Sequence, residues 1–468
     1  MGNNNILVNK NCFKQINIIG NGSFGKVYRV KDLKYKKDYA MKELSKLKII
    51  LKNNIKNVII ESELLSKLNH PFLIKLHFSF QDKENLYFIL DYKECSDLRY
   101  YYSKEIKFNE QQSKFIISSL ILSLEYIHIN KIVHRDLKPE NVMFDNKGYV
   151  YLTDFGIARK LNNNYDIDMD SGGSPGYMAP EILFKQRYTF TVDYFALGII
   201  LYELMLASRP YFGNRKNIRK QLNEEEKQIS LDEIPQGWSV EACDLINKLI
   251  LMDPAKRLAN KGLDEIKSHP WFKYYDWKSL YLKKLISPFI PTLTEINLEE
   301  TLEEDIKEIS NYYKNKYNIM LNSADFNSKF DGFLYFNRYA NKKNMDKEFE
   351  NPHQIFEEID KKEKKFFDEL KKKDEKEKLK SSKKKRHKKV WSAEIIENKK
   401  KLFFEGNNKD GIIIKNNASE EKDKNMKLIK VNRTNNIKKV NLGNDNDYTQ
   451  NNNDKKIIEV NRNKKFAN

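Results

Sequence analysis

The chain contains 468 residues, of which 40% are hydrophobic and 12% aromatic, so it is globular overall and long enough for more than one hydrophobic core. Its formal net charge of +19 is uneven, because residues 341–468 hold 36 basic and 23 acidic residues and thus carry +13 of the total. Its three widely spaced cysteines fit neither a disulfide framework nor a metal site, which favours a reducing, intracellular environment.

Residues 1–12 are predicted to form an N-terminal extension, and its first five residues are polar, which argues against a secretory signal. Gly2 partly fits the pattern for N-myristoylation, but Ile6 stands where that pattern has Ser or Thr, so acylation of Gly2 is left open. The most apolar long stretch, 194–207, contains Glu203 and is too short to cross a bilayer, so we interpret it as a buried helix. We predict a cytoplasmic protein without a transmembrane segment, with a nuclear or membrane-associated pool as the alternative.

Alternating apolar and polar residues over 13–30 predict a β-hairpin around a glycine-rich turn. Its glycines would let the backbone approach nucleotide phosphates, and the flanking apolar side chains would cover an adenine ring. The residues that would bind ATP in this way are Ile19, Gly20, Asn21, Gly22, Ser23, Phe24, Gly25, Lys26 and Val27. The same glycine spacing occurs in dinucleotide-binding turns, where a helix follows, but here residues 27–30 have the pattern of a strand.

A further strand is predicted to end with residues 39–42. Lys42 is the expected partner of the α- and β-phosphates, because the largely apolar residues 39–41 place it in a strand at a suitable distance from the glycines. The helix predicted over 55–68 carries two acids that could pair with Lys42, namely Glu61 and Glu63. A solvated role is the expectation for Glu63.

Residues 133–141 read Val-His-Arg-Asp-Leu-Lys-Pro-Glu-Asn, and the tripeptide Asp-Phe-Gly begins at Asp154, thirteen residues after Asn141. Asp136 could accept the proton of an attacking hydroxyl, and Lys138 could lie near the transferred phosphate. Asn141 and Asp154 supply the hard oxygen ligands that suit Mg²⁺. Either tripeptide alone would be weak evidence, but both in order and at these offsets predict phosphoryl transfer from ATP with Mg²⁺.

These two loops resemble the catalytic and magnesium-binding loops of the protein-kinase family, and residues 138–141 resemble its serine/threonine branch. The resemblance implies an α+β, bilobal protein-kinase fold, in which a small antiparallel sheet with one key helix lies over a mainly helical large lobe. The catalytic domain would span 13–272, with the small lobe at about 13–91 and the large lobe at about 92–272.

The resemblance also assigns roles around the nucleotide. Counted back from residues 69–72, Glu61 is the family's partner of the phosphate-binding lysine, and their ion pair would form only when its helix swings inward. Leu90 would be the gatekeeper beside the adenine pocket, with Ala40 lining the same pocket. The backbone of the hinge between the lobes, at Asp91 and Tyr92, would bind adenine.

Residues 173–181 resemble the end of a kinase activation segment. Ser174 stands where serine/threonine kinases carry a hydroxyl that positions the substrate. Asp170 stands where many relatives carry a phosphorylated threonine, so it could pair with Arg135 without phosphorylation, with Ser171 as the fallback phosphorylation site. An ordinary exposed aspartate is the alternative.

Two structural roles follow from the same resemblance. Asp193 would cap the backbone of the catalytic loop, and Arg257 would form a buried pair with Glu181 that is costly to break on one side only. The apolar stripe over 110–129 predicts a core helix.

Four later segments resemble the C-terminal part of the AGC group, the kinases related to the cyclic-nucleotide-dependent and C-type enzymes. They are His-Pro-Trp-Phe at 269–272, Asp-Trp at 276–277, Pro-Phe-Ile-Pro at 288–291, and the hydrophobic motif at 330–335. Phe330 and Phe333 would fill a groove of the small lobe beside the glutamate-bearing helix. Leu334 occupies the usual phosphorylation position, so docking would not use a phosphate there. The tail would cover 273–340.

Substrate preference is predicted from acid placement. Asp97, Glu140 and Glu203 fall where basophilic AGC relatives carry acids that bind arginines, through directional charge-assisted pairs. We therefore predict protein substrates that have Arg or Lys before a Ser or Thr acceptor. The enzyme is separately predicted to be a monomer with a role in intracellular signalling.

Residues 341–468 are predicted to be a charged, Asn- and Lys-rich, largely disordered tail. Its basic cluster at 383–389 could be a nuclear localisation signal, a phospholipid contact or a nucleic-acid-binding arm, and a solvated tail is the alternative. Tethering to nucleic acid could coexist with catalysis. A catalytically silent scaffold is the other alternative, and the intact set of catalytic side chains argues against it.

Overall fold

The computed structural model describes residues 8–104, 106–161, 172–293, 326, 328–331, 333–336, 365 and 372, all within one compact unit, residues 1–387. Gly2, Asp170, Ser171 and the basic cluster at 383–389 lie outside the described residues, and so does nearly all of 341–468.

The small lobe is built on an antiparallel sheet in the order β1-β2-β3-β5-β4. Its strands are β1 (Phe13–Gly22), β2 (Gly25–Asp32), β3 (Asp38–Ser45), β4 (Leu76–Gln81) and β5 (Asn85–Asp91). Helices α1 (Lys46–Leu51) and α2 (Ile55–Lys67) follow β3, which confirms the predicted hairpin and helix. The strand predicted to end at Lys42 is longer than expected, because Leu44 is still buried and pairs with Leu86.

The large lobe is mainly helical. Its helices are α3 (Leu98–Ser103), α4 (Glu110–Ile129), α5 (Pro180–Leu183), α6 (Thr191–Leu206), α7 (Arg215–Glu224), α8 (Val240–Leu249), α9 (Asp264–Lys267) and α10 (Trp277–Tyr281). Helix α4 begins with a capping box, in which Asn109 and Gln112 each accept the other's backbone N–H. Both α4 and α6 are buried along most of their length, which confirms the core helix and the buried apolar stretch.

Short strands between α4 and α5 carry the loops at the cleft. They are β6 (Ile132–Val133), β7 (Val142–Phe144), β8 (Val150–Leu152) and β9 (Arg159–Lys160). Strand β6 pairs with β9 and β7 pairs with β8, all antiparallel. The catalytic loop therefore lies between β6 and β7, and Asp154 follows β8 after one intervening residue, Thr153. The predicted α+β, bilobal kinase fold is confirmed.

The described parts of the C-terminal tail contact both lobes. Phe289 packs against Tyr101, Phe108 and Phe144 of the large lobe, with ring centroids 4.9–5.4 Å apart. Strand β10 (Tyr335–Phe336) adds a sixth strand to the small-lobe sheet by pairing antiparallel with β4.

Candidate active site

Lys42 and Glu61 meet between β3 and α2. The Lys42 ammonium donates to Glu61 Oε1 at 2.7 Å, whereas Glu63 is exposed and accepts from Lys67 on the same helix at 2.6 Å. Burial alone would lower the pKa of Lys42, but the carboxylates of Glu61 and Asp154 outweigh it and raise that pKa. Lys42 is therefore a fixed positive charge in the cleft, and α2 is in the inward position.

The glycine-rich turn is held close to β3. A Cβ atom on Gly25 would lie 1.8 Å from the carbonyl oxygen of Glu43, so only glycine allows this approach. The carbonyl of Phe24 accepts the backbone N–H of Ser45 at 2.9 Å. The other hairpin residues predicted to bind ATP lie on β1, on β2 or in the turn between them, namely Ile19, Gly20, Asn21, Gly22, Ser23, Lys26 and Val27.

The backbone of the catalytic loop is strained and is held by one buried carboxylate. Arg135 has a φ of +70°, a left-handed conformation that is unfavourable for residues other than glycine. Asp193 accepts the backbone N–H groups of Arg135 at 2.8 Å and His134 at 2.9 Å, and its carboxylate also contacts the His128 ring at 2.8 Å. Burial acts to raise the pKa of Asp193, but these hydrogen bonds and neighbouring charges outweigh it and lower that pKa.

Asp136 is the centre of a hydrogen-bonded group at the mouth of the cleft. Lys138 donates to Asp136 Oδ2 at 2.7 Å, and the Ser174 hydroxyl donates to Asp136 Oδ1 at 2.8 Å. Lys138 and Ser174 also contact each other at 3.0 Å. The Asn141 amide donates to the Asp136 carbonyl at 2.8 Å. The carboxylate is thereby oriented, and a lysine ammonium is fixed beside it.

Asp154 lies opposite this group. Its φ is +61°, and its Oδ1 accepts from Lys42 at 3.4 Å and from the Gly156 backbone at 3.3 Å. The neighbouring Phe155 is fully buried and packs edge-on against His134 at 5.0 Å. The charge of Lys42 is the largest influence on the Asp154 carboxyl and lowers its pKa, so Asp154 is ionised at neutral pH.

The donor set of Asp154 and Asn141 fits Mg²⁺. Both offer hard oxygen atoms, and the Asn141 amide uses its nitrogen for Asp136, which leaves its oxygen for a cation. Across the described ranges, no group of three or more His, Cys, Asp or Glu side chains could hold a metal ion. A magnesium ion at this pair would take its remaining ligands from nucleotide phosphates and water.

The predicted adenine-binding residues lie at the end of β5 and the adjoining part of β3. Ala40 pairs with Leu90 across the two strands. Asp91 contacts the His77 ring at 2.7 Å, and Tyr92 stacks beneath the guanidinium of Arg29 at 4.9 Å. The side chains of Asp91 and Tyr92 therefore hold the segment that joins the lobes against strands β4 and β2.

Comparison with known proteins identifies this arrangement. A family model described as the protein kinase domain matches residues 13–272. The chain belongs to the protein kinase family. It is 38% identical over 303 residues to the serine/threonine-protein kinase sgk-1 of Caenorhabditis elegans, covering 64% of each chain. It is 37% identical over 284 residues to the RAC family serine/threonine-protein kinase homolog of Dictyostelium discoideum, covering 60% of this chain and 62% of that one.

The catalytic subunit of the cAMP-dependent protein kinase of Dictyostelium discoideum is 36% identical over 308 residues, covering 63% of this chain and 46% of that one. These relatives confirm the predicted resemblance to AGC-group kinases. The chain spans a little under two thirds of the length of the first relatives it matches. Within the part of the chain that the structure describes, no helix is long and apolar enough to cross a membrane.

The three acids predicted to bind basic substrates have two kinds of partner in the kinase domain. Asp97 caps α3 by accepting the Tyr100 backbone N–H at 2.8 Å. Glu140 and Glu203 both contact Arg99, at 3.1 Å and 2.8 Å. Sequence reasoning did not identify Arg99, because its partner on α6 is 104 residues away.

The remaining predicted pairings can be located in part. Arg257 donates to both oxygens of Glu181, at 2.6 and 3.0 Å, as the resemblance implied. The side chain of Arg135 donates to the Ile157 carbonyl at 2.7 Å and the Tyr188 hydroxyl at 2.6 Å. Its predicted partner Asp170 lies outside the described residues.

The hydrophobic motif is docked on the small lobe. Phe330 and Phe333 are fully buried, and Phe333 packs edge-on against Phe88 of β5 at 4.8 Å. A third buried aromatic, Phe326, contacts the Phe330 ring at 6.1 Å. The buried ammonium of Lys46 lies 5.3 Å from the Phe330 ring and 5.8 Å from the Phe326 ring. Sequence reasoning missed Phe326 and Lys46, although the four-residue spacing between Phe326 and Phe330 is a helical signal.

Proposed function

We propose that this protein is an ATP- and Mg²⁺-dependent serine/threonine protein kinase of the AGC group, which transfers the γ-phosphate of ATP to Ser or Thr hydroxyls of protein substrates. The observation that carries the proposal is that Lys42 contacts the Asp154 carboxylate, while Lys138, which like Ser174 is hydrogen-bonded to Asp136, is near enough for its charge to help lower the pKa of Asp154. Phosphoryl transfer needs positioned groups and fixed charges more than covalent chemistry, and these side chains supply both.

In this mechanism, the Asp136 carboxylate orients the acceptor hydroxyl and takes up its proton. Lys138 places a positive charge beside the transferred phosphoryl group, and Lys42 holds the nucleotide phosphates with the backbone of the glycine-rich turn. Mg²⁺ held by Asp154 and Asn141 would neutralise charge on the β- and γ-phosphates. The Ser174 hydroxyl donates to Asp136, and an incoming acceptor hydroxyl would bind at the same carboxylate.

We further propose that substrates carry Arg or Lys before the acceptor. The acids Asp97, Glu140 and Glu203 support this, since two of them already hold a guanidinium, the group that a substrate arginine would bring. A positional peptide library phosphorylated by the purified chain with ATP and Mg²⁺ tests this. Enrichment of Arg or Lys at one or more positions before Ser or Thr is expected. A strict requirement for proline or acidic residues would contradict the basic preference, and no transfer to any peptide would contradict the enzymatic function.

The hydrophobic motif is proposed to hold α2 inward without a phosphate. Leu334 is 57% exposed, while the two predicted anchors, Phe330 and Phe333, are buried. Ser79 and Gln81 of β4 donate to the backbone carbonyls of Phe333 and Phe330, at 3.2 and 3.3 Å. The motif is therefore held by buried rings and by hydrogen bonds to its main-chain carbonyls, so none of these contacts depends on a charge at position 334.

The domain division into 1–12, 13–272, 273–340 and 341–468 stays a prediction. The same holds for the monomeric state, the cytoplasmic location, the signalling role, pairing of Asp170 with Arg135, and contacts of the basic tail with membranes or nucleic acid.

A further inference from the structure

The side chain of Arg99 fills the acidic subsite that the proposed function assigns to a basic substrate residue. Its Nη1 donates to Glu203 Oε1 at 2.8 Å, its Nη2 reaches Glu203 Oε2 at 3.4 Å, and its Nε donates to Glu140 Oε1 at 3.1 Å. Nη2 also donates to the Tyr177 hydroxyl, which in turn donates to Glu203 at 2.5 Å. All three guanidine nitrogens of Arg99 are therefore used.

A substrate arginine would need the same oxygen atoms. A guanidinium binds a carboxylate best through two parallel N–H bonds, and this is the geometry that Arg99 has with Glu203. Since a carboxylate has only two oxygens, Arg99 and an arginine from the substrate compete for Glu203.

The subsite can be reached from solvent. The Glu140 side chain is 44% exposed and that of Arg99 is 32% exposed, while the Glu203 side chain is only 9% exposed. The buried Glu203 carboxylate needs a positive partner, because an unpaired buried charge is costly. An internal arginine supplies that partner in the free enzyme, and an incoming guanidinium could replace it without leaving Glu203 unpaired.

Asp97 differs from the other two acids. It forms no ion pair within the described part of the chain, and its carboxylate accepts the backbone N–H of Tyr100 instead. Arg99 follows Asp97 by two residues at the start of α3, yet its guanidinium turns to the acids contributed by the catalytic loop and α6. The ion pairs of Arg99 therefore occupy Glu140 and Glu203, whereas Asp97 feels only the nearby charge and backbone of Arg99.

We propose that Arg99 is a specificity-determining residue that occupies the Glu140–Glu203 subsite and must be displaced before a substrate arginine can bind there. Substrate choice is then governed mainly by the basic residue that Asp97 receives. The inference rests on the proposed function, because it assumes that these acids receive substrate. A site that is open only for a fraction of the time binds its ligand more weakly by that fraction, so an internal occupant present about 90% of the time lowers affinity about tenfold.

The test measures binding without chemistry. Peptides with alanine in place of the acceptor and a single arginine at each of several preceding positions are titrated against the full chain, with binding followed by fluorescence anisotropy. The variants are Arg99→Met, Arg99→Lys and, as a matched control at the other end of the same helix, Lys104→Met. Lys104 is exposed and caps α3 at its C-terminus. The Lys104→Met substitution removes one positive charge, as Arg99→Met does, but it does not change the subsite.

Among these peptides, the one whose arginine reaches the Glu140–Glu203 subsite is expected to bind Arg99→Met about tenfold more tightly than the wild type. The affinities of the arginine-free peptide and of the peptide whose arginine reaches Asp97 should stay unchanged. Arg99→Lys should give a smaller gain, because an ammonium retains the charge but lacks the planar fork. Lys104→Met should match the wild type throughout.

Each contrary result has a distinct meaning. If the wild type prefers arginine peptides but neither Arg99 variant gains affinity at any position, Arg99 only ties α3 to the large lobe and the inference is wrong. A loss of affinity in both variants would also overturn it, since Arg99 would then hold the acids in place for the substrate. If no protein distinguishes arginine from alanine anywhere, the basic-substrate part of the proposed function fails as well.

Discussion

The buried pair of Arg257 and Glu181 allows a sharp test of what stabilises the large lobe. Both side chains are essentially inaccessible to solvent, at 0% and 1% exposure. Arg257 also donates to the carbonyl groups of Thr191 and Leu251, both at 3.0 Å. The preceding residue, Lys256, forms only a loose pair at 3.8 Å and is 76% exposed. The two adjacent positive residues therefore differ both in burial and in the number and closeness of their partners.

We predict that Arg257→Met lowers the free energy of unfolding by about 3–5 kcal/mol, because it leaves the Glu181 carboxylate uncompensated in the core. Glu181→Gln should cost less, about 2 kcal/mol, since glutamine keeps an acceptor for Arg257 and the carbonyl contacts remain. Lys256→Met should change stability by about 0–1 kcal/mol.

Urea unfolding at pH 7, followed by intrinsic tryptophan fluorescence, measures these differences. Combining Arg257→Met with Glu181→Leu should recover part of the loss, because the second change removes the unpaired charge. The reasoning would be refuted if Arg257→Met were no more destabilising than Lys256→Met, or if the double variant lost the full sum of both single losses.

Three further predictions use single substitutions, two of them with a matched control. Glu61→Gln should lower kcat/KM for peptide phosphorylation about tenfold or more, because the neutral amide holds Lys42 less firmly. The control Glu63→Gln, on the same helix, should change kcat/KM by no more than about twofold. Phe326→Ala should lower the free energy of unfolding by about 3 kcal/mol through loss of buried ring contacts, while Leu334→Ala at an exposed position should have little effect. Equal urea midpoints for these two variants would contradict this prediction. Burial lowers the pKa of His70 to about 3. The unfolded chain therefore binds a proton at His70 more readily than the folded chain, and stability is lost as pH falls below about 6.5. The expected loss in the free energy of unfolding is about 1.4 kcal/mol between pH 7.5 and 5.5. A His70→Gln variant should lack this part of the pH dependence.

The fold and the centre of the site could be predicted because their signals are local. The spacing from Asp136 to Asn141 is set within one loop, and Asp154 follows a short strand at the expected offset. The hairpin around the glycines and the helix bearing Glu61 follow from periodicity over fewer than twenty residues. Family resemblance then selected Glu61 over Glu63, and the contact at 2.7 Å agrees with that choice.

Contacts between distant segments could not be predicted in this way. Arg99 meets Glu203 across 104 residues, and a charged residue near the start of a helix gives no sign of such a partner. Lys46 is fully buried although lysine is usually exposed, because the Asp82 carbonyl and the aromatic tail residues surround its ammonium. Strand β3 extends past Lys42 because its pairing with β5 continues, which a strand read in isolation does not show.

The central claim is that one cleft joins a magnesium-bound nucleotide to a hydroxyl oriented by Asp136. The most direct measurement is the rate of γ-phosphate transfer from ATP to a Ser-containing peptide by the wild type and by Asp154→Asn. Asp264→Asn, at an exposed position on α9, serves as the control. We expect Asp264→Asn to equal the wild type and Asp154→Asn to lower kcat about a hundredfold or more, with its urea midpoint unchanged. A folded Asp154→Asn variant that transfers phosphate at the wild-type rate would contradict the account.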